Sequence, residues 1–430
     1  MAKKNSTVYL CNNCGNEFSV WAGKCSACGE WNSLVEMKES SAKSEHSEPL
    51  EIVSLSDIVI GEGFRVKTGI TEFDRVLGGG IVPGSVILLG GEPGVGKSTL
   101  ILQVADSVSS TIYVSAEESS AQIKIRADRL GISGQIKIVS EPNIEKVLAN
   151  VSKLKPGLLI IDSIQTVFTD TYNSTPGSIV QVRECGMLLQ QYAKTHNIPI
   201  IIIGHVTKEG NLAGPRILEH LVDVVLYLEG DRFSDARLLR GTKNRFGATN
   251  EVGIFSMQEK GMAEINNPSE MFLSESKPSP GSCITVTLEG TRPILIEIQA
   301  LAIPTHFGYP KRTSSGFDLN RLNLLAAVIS KKTNINLANH DIYLNVIGGI
   351  KLSEPAVDLA VCCAIISSIA NKSLPKNICV FGEVGLLGEI RKVSRQKDRE
   401  KEAIALGYKI LDQVKGIDQI AGLLKAESAS

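Results

Sequence analysis

The 430-residue sequence lacks long hydrophobic runs, an excess of either charge and a cysteine framework, and each absence excludes a class of protein. Its longest apolar stretches, such as Ile198 to Ile203, fall far short of the ~20 residues that cross a bilayer as a helix. Lys and Arg number 45 against 46 Asp and Glu, for a net charge of -1. That balance excludes a histone-like polycation and leaves nucleic-acid binding to a local patch. The opening Met-Ala-Lys-Lys-Asn leads into polar residues and cysteines without a signal-peptide hydrophobic region, so a cytoplasmic protein with no membrane partner is expected. Apolar residues at 43% and charged residues at 21% exclude wholesale disorder. At ~150 residues per domain the length predicts two or three domains.

What is present begins with the cysteines. Four of the nine lie in the first 28 residues, as Cys11-x2-Cys14 and Cys25-x2-Cys28. An odd total in a long, cysteine-poor chain argues against disulfides, and Cys185, Cys283, Cys362, Cys363 and Cys379 are expected as core or surface thiols. The two N-terminal pairs, ten residues apart, carry a zinc signal, because two tight knuckles of two thiolates complete a tetrahedral sulfur shell. Gly15 and Gly29 follow the second cysteine of each pair, where a turn toward a metal favours glycine. Four protein ligands leave no open position, so zinc on Cys11, Cys14, Cys25 and Cys28 is expected to be structural. Trp21 and Trp31, the only tryptophans, are expected to pack around the knuckles, with stacking on a base as the alternative.

Composition divides the rest. Residues 1–36 are too few for a hydrophobic core and need the metal. A Ser-, Lys- and Glu-rich segment, 37–51, reads as a flexible linker. Across 52–271, short β-branched runs alternate with longer amphipathic stretches: Val86 to Leu89, Ile112 to Val114, Leu158 to Ile161, Ile200 to Ile203 and Val224 to Leu228 read as buried parallel strands. This is the α/β pattern of a parallel-rich sheet covered by helices on both faces. A Ser/Pro-rich stretch from Pro268 to Pro280 marks a boundary, and 281–430 forms an α+β unit. Its expected strands are Cys283 to Leu288, Ile294 to Ala300 and Ile378 to Phe381, with helices over Leu322 to Ser330 and Ala356 to Ala370.

Gly91-Glu92-Pro93-Gly94-Val95-Gly96-Lys97-Ser98-Thr99 contains G-x4-G-K-[ST] between a strand and a helix expected over Ser98 to Val108, the context a phosphate-binding loop requires. The glycines let backbone N–H groups and the helix N-terminus face phosphate oxygens, Lys97 supplies charge, and the Ser98 hydroxyl can hold Mg²⁺. Asp162 ends an apolar strand, where an acid completes a magnesium site or caps a helix. Glu117 and Glu118 follow another strand, where a carboxylate can activate water; Glu117 is preferred, and favourable charge at a helix start is the alternative. His205 ends the strand Ile200 to Ile203, as a γ-phosphate sensor or a structural histidine. Beyond it, Lys208 to Pro215 is a Gly-containing loop that could line a channel. Arg237 to Gly247 holds four basic residues and no acid; Lys243-Asn244-Arg245-Phe246-Gly247 suits a solvated face, a neighbouring nucleotide or a nucleic-acid strand.

Zinc ribbon, RecA-like P-loop ATPase and C-terminal unit, in that order, together with Lys243 to Gly247 and the stretch Val206 to Gly214, resemble the RadA (Sms) family of bacterial recombination and repair ATPases. The resemblance implies a hexameric ring that binds single-stranded DNA, translocates on ATP hydrolysis, and drives branch migration of recombination intermediates alongside the RecA recombinase. It assigns ATP to Gly91–Thr99, magnesium to Ser98 and Asp162, water activation to Glu117, and action across a subunit boundary, or on DNA, to Lys243 and Arg245. The C-terminal unit resembles the Lon protease domain around Gly348 to Asp358 and Gly382 to Val393. Lon proteases use a Ser–Lys pair. Ala356 stands at the nucleophile position, Ser353 is three residues out of register, and Lys397 falls near the lysine position. The resemblance therefore implies a proteolytically inactive scaffold, with a basic cluster from Arg391 to Lys401 as a suggestive DNA footprint. The competing readings are a nucleotide-switched protein-binding ATPase, similar to clock ATPases, and an ATP-dependent protease.

Overall fold

The computed structural model describes residues 8–11, 16–37, 54–57, 61, 63–132, 134–172, 174–205, 214–230, 235–265, 267, 269, 272–273, 279–305, 309–411 and 414–420. The chain divides into two compact units, Met1–Glu264 and Ile265–Ser430. The division precedes the expected end of the ATPase region at 271. Ser269 explains the difference, since its hydroxyl accepts the Leu295 N–H at 3.0 Å within the second unit. The expected linker, apart from Met37, lies outside the described residues, as does most of the Pro268 to Pro280 boundary segment.

The first unit opens with a small antiparallel sheet in which β1 (Val8–Cys11) lies between β2 (Glu17–Phe18) and β3 (Leu34–Met37). Its core is little more than Cys11, Cys25 and Leu34, with Tyr9 and Phe18 packed alongside. Trp21 and Trp31 do not pack around the knuckles as expected. They are 55% and 67% exposed, because so small a core has no volume for an indole, and the Lys24 ammonium lies 5.5 Å from the Trp31 ring centroid.

Among the described residues the main sheet has nine strands. Four run parallel as β5 (Thr111–Ser115), β7 (Leu158–Asp162), β8 (Ile200–Ile203) and β4 (Val86–Gly91), extended by β6 (Lys137–Val139) at one side. On the other side β9 (Val224–Glu229) is parallel to β4, and β10 (Ala236–Asn244), β11 (Val252–Gln258) and β12 (Gly261–Glu264) follow antiparallel. The sequence reading named none of these last three strands; in β10 the alternation is broken by Gly241, Thr242 and Lys243, where a bulge shifts the β10–β9 register.

Pleating explains the near-continuous apolar runs. In β4, Ile87 and Leu89 join a core with α1 (Thr71–Val76), α2 (Lys97–Ser107) and α3 (Ser120–Leu130). Val86 and Leu88 point the other way, into a core with α4 (Ile144–Val151), α5 (Ile179–His196) and residues of α6 (Gly214–Leu221). A strand buried on both faces must be apolar at every position, as Ile200–Ile203 is. Local signals set the helix ends. Ser119 forms a capping box with Gln122, Ser178 caps α5, and Gly131 and Asn197 end α3 and α5 in the left-handed conformation.

In the second unit β13 (Ser282–Glu289) and β14 (Arg292–Pro304) pair antiparallel across a tight turn. β14 continues to β16 (His340–Val346), which pairs in parallel with β15 (Arg312–Ser315). The short strands Ile378–Cys379 and Lys409–Ile410 extend the β13 side in parallel. Among the described residues this α+β unit has the helices α7 (Leu319–Lys332), α8 (Asp358–Ala370) and α9 (Gln396–Ala405). α8 is apolar nearly all round and buried from Asp358 to Ser367.

Candidate nucleotide site and metal centre

In an open α/β sheet, ligands bind beyond the carboxyl ends of the strands where the strand order reverses. Here β4 is the turning point, since its two neighbours are β8 and β9 while the chain passes next to β5. Beyond that edge the fold brings together residues that are far apart in sequence. The loop Gly91–Gly96 follows β4, Glu117 follows β5, Asp162 ends β7 and His205 follows β8.

Two glycines of the loop are sterically required. Gly91 has φ +151°, and a Cβ there would lie 2.5 Å from the Leu228 carbonyl oxygen on β9. Gly96 caps α2 with φ +111°, and a Cβ there would meet the methyl groups of Met262 and Met257 at 2.3 and 2.5 Å. Lys97 is buried, and its ammonium donates to the carbonyls of Gly91 (2.8 Å) and Glu92 (3.0 Å), bridging the base of the loop. Burial lowers its pKa to about 8, with the charges of Asp162 and Glu117 opposing the shift. The same cation thus senses both acids.

The acids differ in their partners. Asp162 accepts a hydrogen bond from the buried Tyr113 hydroxyl. Tyr113 in turn is pushed well above its usual pKa by burial and then by Asp162, so it stays a donor. Glu117 accepts from the Ser163 hydroxyl at 2.6 Å, and His205 Nε2 lies 3.6 Å from the same oxygen. Glu118 is turned aside into an ion pair with Arg126. The carboxylate facing the loop is therefore Glu117. Gln165 Nε2 donates to the His205 carbonyl at 3.4 Å. The expected channel loop, Lys208 to Pro215, and the family-like stretch from Val206 lie almost wholly outside the described residues.

Lys243 and Arg245 are not brought to this site. β10 runs antiparallel to β9, so Leu238 pairs with Glu229 near the loop while Asn244 pairs with Val224 at the opposite edge. From Val86 to Gly91 that is about 17 Å of strand. The Lys243 ammonium instead donates to the carbonyls of Glu219 (2.7 Å), His220 (3.3 Å) and Val222 (2.7 Å), closing the C-terminal end of α6. Burial lowers its pKa, and neighbouring Arg245 adds to the shift. Arg245 pairs with Asp223 at 3.2 Å and stays half exposed.

Sequence reasoning missed four participants. Tyr113 was read as part of an apolar run, although a phenol in a buried strand needs an acceptor. Ser163 and Arg126 carry no motif. Arg237 donates from Nε to the Val95 carbonyl at 3.1 Å, which ties β10 to the phosphate-binding loop.

At the N-terminal ribbon, the sulfurs of Cys11, Cys25 and Cys28 lie within 4.8 Å of one another, and Cys11 and Cys28 are 3.6 Å apart. Ligands at a Zn–S length of ~2.3 Å on a tetrahedron stand about 3.8 Å apart, so these three thiols fit Zn²⁺. The Cys25 N–H donates to Glu30 and Gly29 N–H to Cys25, which forms the second knuckle. Cys14 lies outside the described residues.

In the second unit, Ala356 is buried and its carbonyl accepts the Gly382 N–H at 2.7 Å, while Ser353 and Lys397 are exposed. Close to them in sequence, Glu354 and Arg399 form an ion pair. Arg399, fully buried, donates to both carboxylate oxygens of Glu354 and to the Val286 carbonyl. Glu354 also accepts the Leu288 N–H and the Thr287 hydroxyl.

A glycine-rich loop between strand and helix, buried lysine and acids on adjacent parallel strands define a P-loop ATPase with a RecA-like fold, preceded by a zinc ribbon. An ATPase family model described as KaiC matches residues 66–138, and one described as a rubredoxin metal binding domain matches 9–36. The chain is 50% identical over 420 residues to the DNA repair protein RadA of Bacillus subtilis, covering 94% of this chain and 92% of that protein. It is 47% identical over 423 residues to the DNA repair protein RadA of Haemophilus influenzae, covering 95% and 92%. The chain belongs to the RadA family. It is accordingly an ATP hydrolase of the RecA-like class. Among the described residues no helix is long and apolar enough to cross a membrane.

Proposed function

We propose that this protein is a DNA-dependent ATPase of DNA repair and homologous recombination that binds single-stranded DNA and translocates along it to drive branch migration. The observation that carries the reading is the convergence of Lys97, Asp162, Glu117 and His205 beyond one edge of the sheet, while Lys243 and Arg245 stand at the other. Relatives spanning nearly the whole chain are named DNA repair proteins.

ATP would be held by Gly91–Thr99 and Mg²⁺ by Ser98 and Asp162; the metal, when bound, neutralises developing charge on the phosphates. Glu117 orients and deprotonates the attacking water. Lys97, already stripped of water, meets the phosphates at low dielectric cost. Arg245, too distant for its own loop, serves the nucleotide of a neighbouring subunit or a DNA strand. A homo-oligomeric ring, read as a hexamer, and the RecA recombinase as partner complete the assignment. The second unit acts as a ring-forming, DNA-contacting scaffold without protease activity, since a buried alanine stands at the expected nucleophile position.

The test is ATP turnover with and without single-stranded DNA at several protein concentrations. Turnover should rise with both, and Lys97→Ala should abolish it while the protein stays folded. Turnover indifferent to DNA would reject the motor in favour of a nucleotide-switched protein-binding ATPase. ATP-dependent degradation of casein by the unaltered chain would reject the scaffold.

A further inference from the structure

Two hydroxyls lie between the strands that carry the acids, and their arrangement is reciprocal. β5 bears Tyr113 and leads to Glu117; β7 ends at Asp162 and leads to Ser163. The strands are parallel neighbours with Ser115 opposite Asp162. Tyr113 of the first strand donates to Asp162 of the second, and Ser163 of the second donates to Glu117 beyond the first. Tyr113 is 1% exposed and Ser163 is fully buried, so packing fixes both donors, while Glu117 keeps 40% of its side chain open to water.

We propose that Tyr113 and Ser163 are positioning residues that cross-link the two carboxylates of the nucleotide site, each hydroxyl holding the acid carried by the neighbouring strand. This rests on the roles given above to Asp162 and Glu117. A carboxylate with one oxygen occupied by a donor presents the other in a fixed direction, toward the metal for Asp162 and toward water for Glu117. Because each hydroxyl belongs to the partner strand, sliding or separation of β5 and β7 would misplace both acids together. A buried phenol satisfying itself on any nearby acceptor would have no such effect on magnesium use.

The experiment compares Tyr113→Phe, Ser163→Ala and the double variant in the full chain, with Glu117→Gln as control. ATP turnover is measured across magnesium concentrations, and binding of a fluorescent ATP analogue is measured without hydrolysis. Tyr113→Phe should raise the magnesium concentration for half-maximal turnover about tenfold, the loss of one charge-assisted hydrogen bond. Ser163→Ala should lower kcat about tenfold with KM nearly unchanged, as for an interaction used only in the transition state. The double variant should depart from the product of the two effects. Wild-type kcat and magnesium dependence in both single variants, with Glu117→Gln inactive, would overturn this inference and leave the acids' roles standing. A uniform drop in kcat, ATP binding and melting temperature would make the hydroxyls structural and overturn it as well. Turnover retained in Glu117→Gln would overturn the role of the acid and the inference with it.

Discussion

Lys97 shows how a single buried charge can be read in solution. Burial holds its pKa near 8, far below that of an exposed lysine. Phosphate oxygens favour the charged form, so nucleotide binding must raise that pKa. Above about pH 8 this group is partly deprotonated before nucleotide binds, and ATP binding should then take up protons. Calorimetry in buffers of different ionisation enthalpy measures this uptake, and Lys97→Met should remove it. The sign for stability is the reverse of an ion-paired lysine. The unfolded chain binds the proton more tightly, so this group's contribution rises with pH between the folded and unfolded values. Arg399 is a second residue-scale case. Its guanidinium is wholly buried against Glu354, and removing one partner leaves an unpaired buried charge. Arg399→Met should cost the second unit about 3–5 kcal/mol, read by urea unfolding. Replacing Glu354 as well by Leu should recover part of that loss, because two apolar side chains leave no orphan charge.

At the scale of elements, the phosphate-binding loop is shaped by the strand beside it as much as by its own sequence. Gly91 faces the backbone of Leu228, which cannot yield, whereas Gly96 faces the flexible ends of Met257 and Met262. Gly91→Ala should therefore weaken ATP binding far more than its lost backbone entropy suggests, and equilibrium binding of a fluorescent nucleotide would show it. β10 is the other informative element. One end carries Arg237 on the Val95 carbonyl, and the other carries Lys243 closing α6 and Arg245 on Asp223. A single strand thus connects the loop of one nucleotide site to the residues proposed to act on a neighbour's.

The placement of Arg245 carries its consequence at the scale of the whole molecule. If it serves a neighbouring subunit, an Arg245→Ala chain keeps a sound nucleotide pocket and a Lys97→Ala chain keeps a sound Arg245. Mixing the two inactive variants should then restore a fraction of ATP turnover, with a maximum at intermediate ratios. Activity no greater than the sum of the separate variants would remove Arg245 from that role.

Much of this protein was legible without coordinates, for physical reasons. Strands buried on both faces must be apolar at every position, so Ile200–Ile203 and Leu158–Asp162 declared themselves. A phosphate cradle needs glycines, a lysine and a helix start at fixed spacing, and a sulfur metal site needs paired cysteines. Other features depend on contacts between segments far apart in the chain. Position after the strand favoured Glu117 over Glu118 but did not reveal the partners that separate them, Ser163 for Glu117 and Arg126 for Glu118. Nothing in the run Ile112 to Val114 shows that Tyr113 ends on Asp162, nor in Lys243 to Gly247 that it stands at the sheet edge away from its own loop. Spacing along the chain sets chemistry that one turn or one strand can hold. Which of two adjacent acids takes the Ser163 hydroxyl is decided only when strands distant in sequence lie side by side.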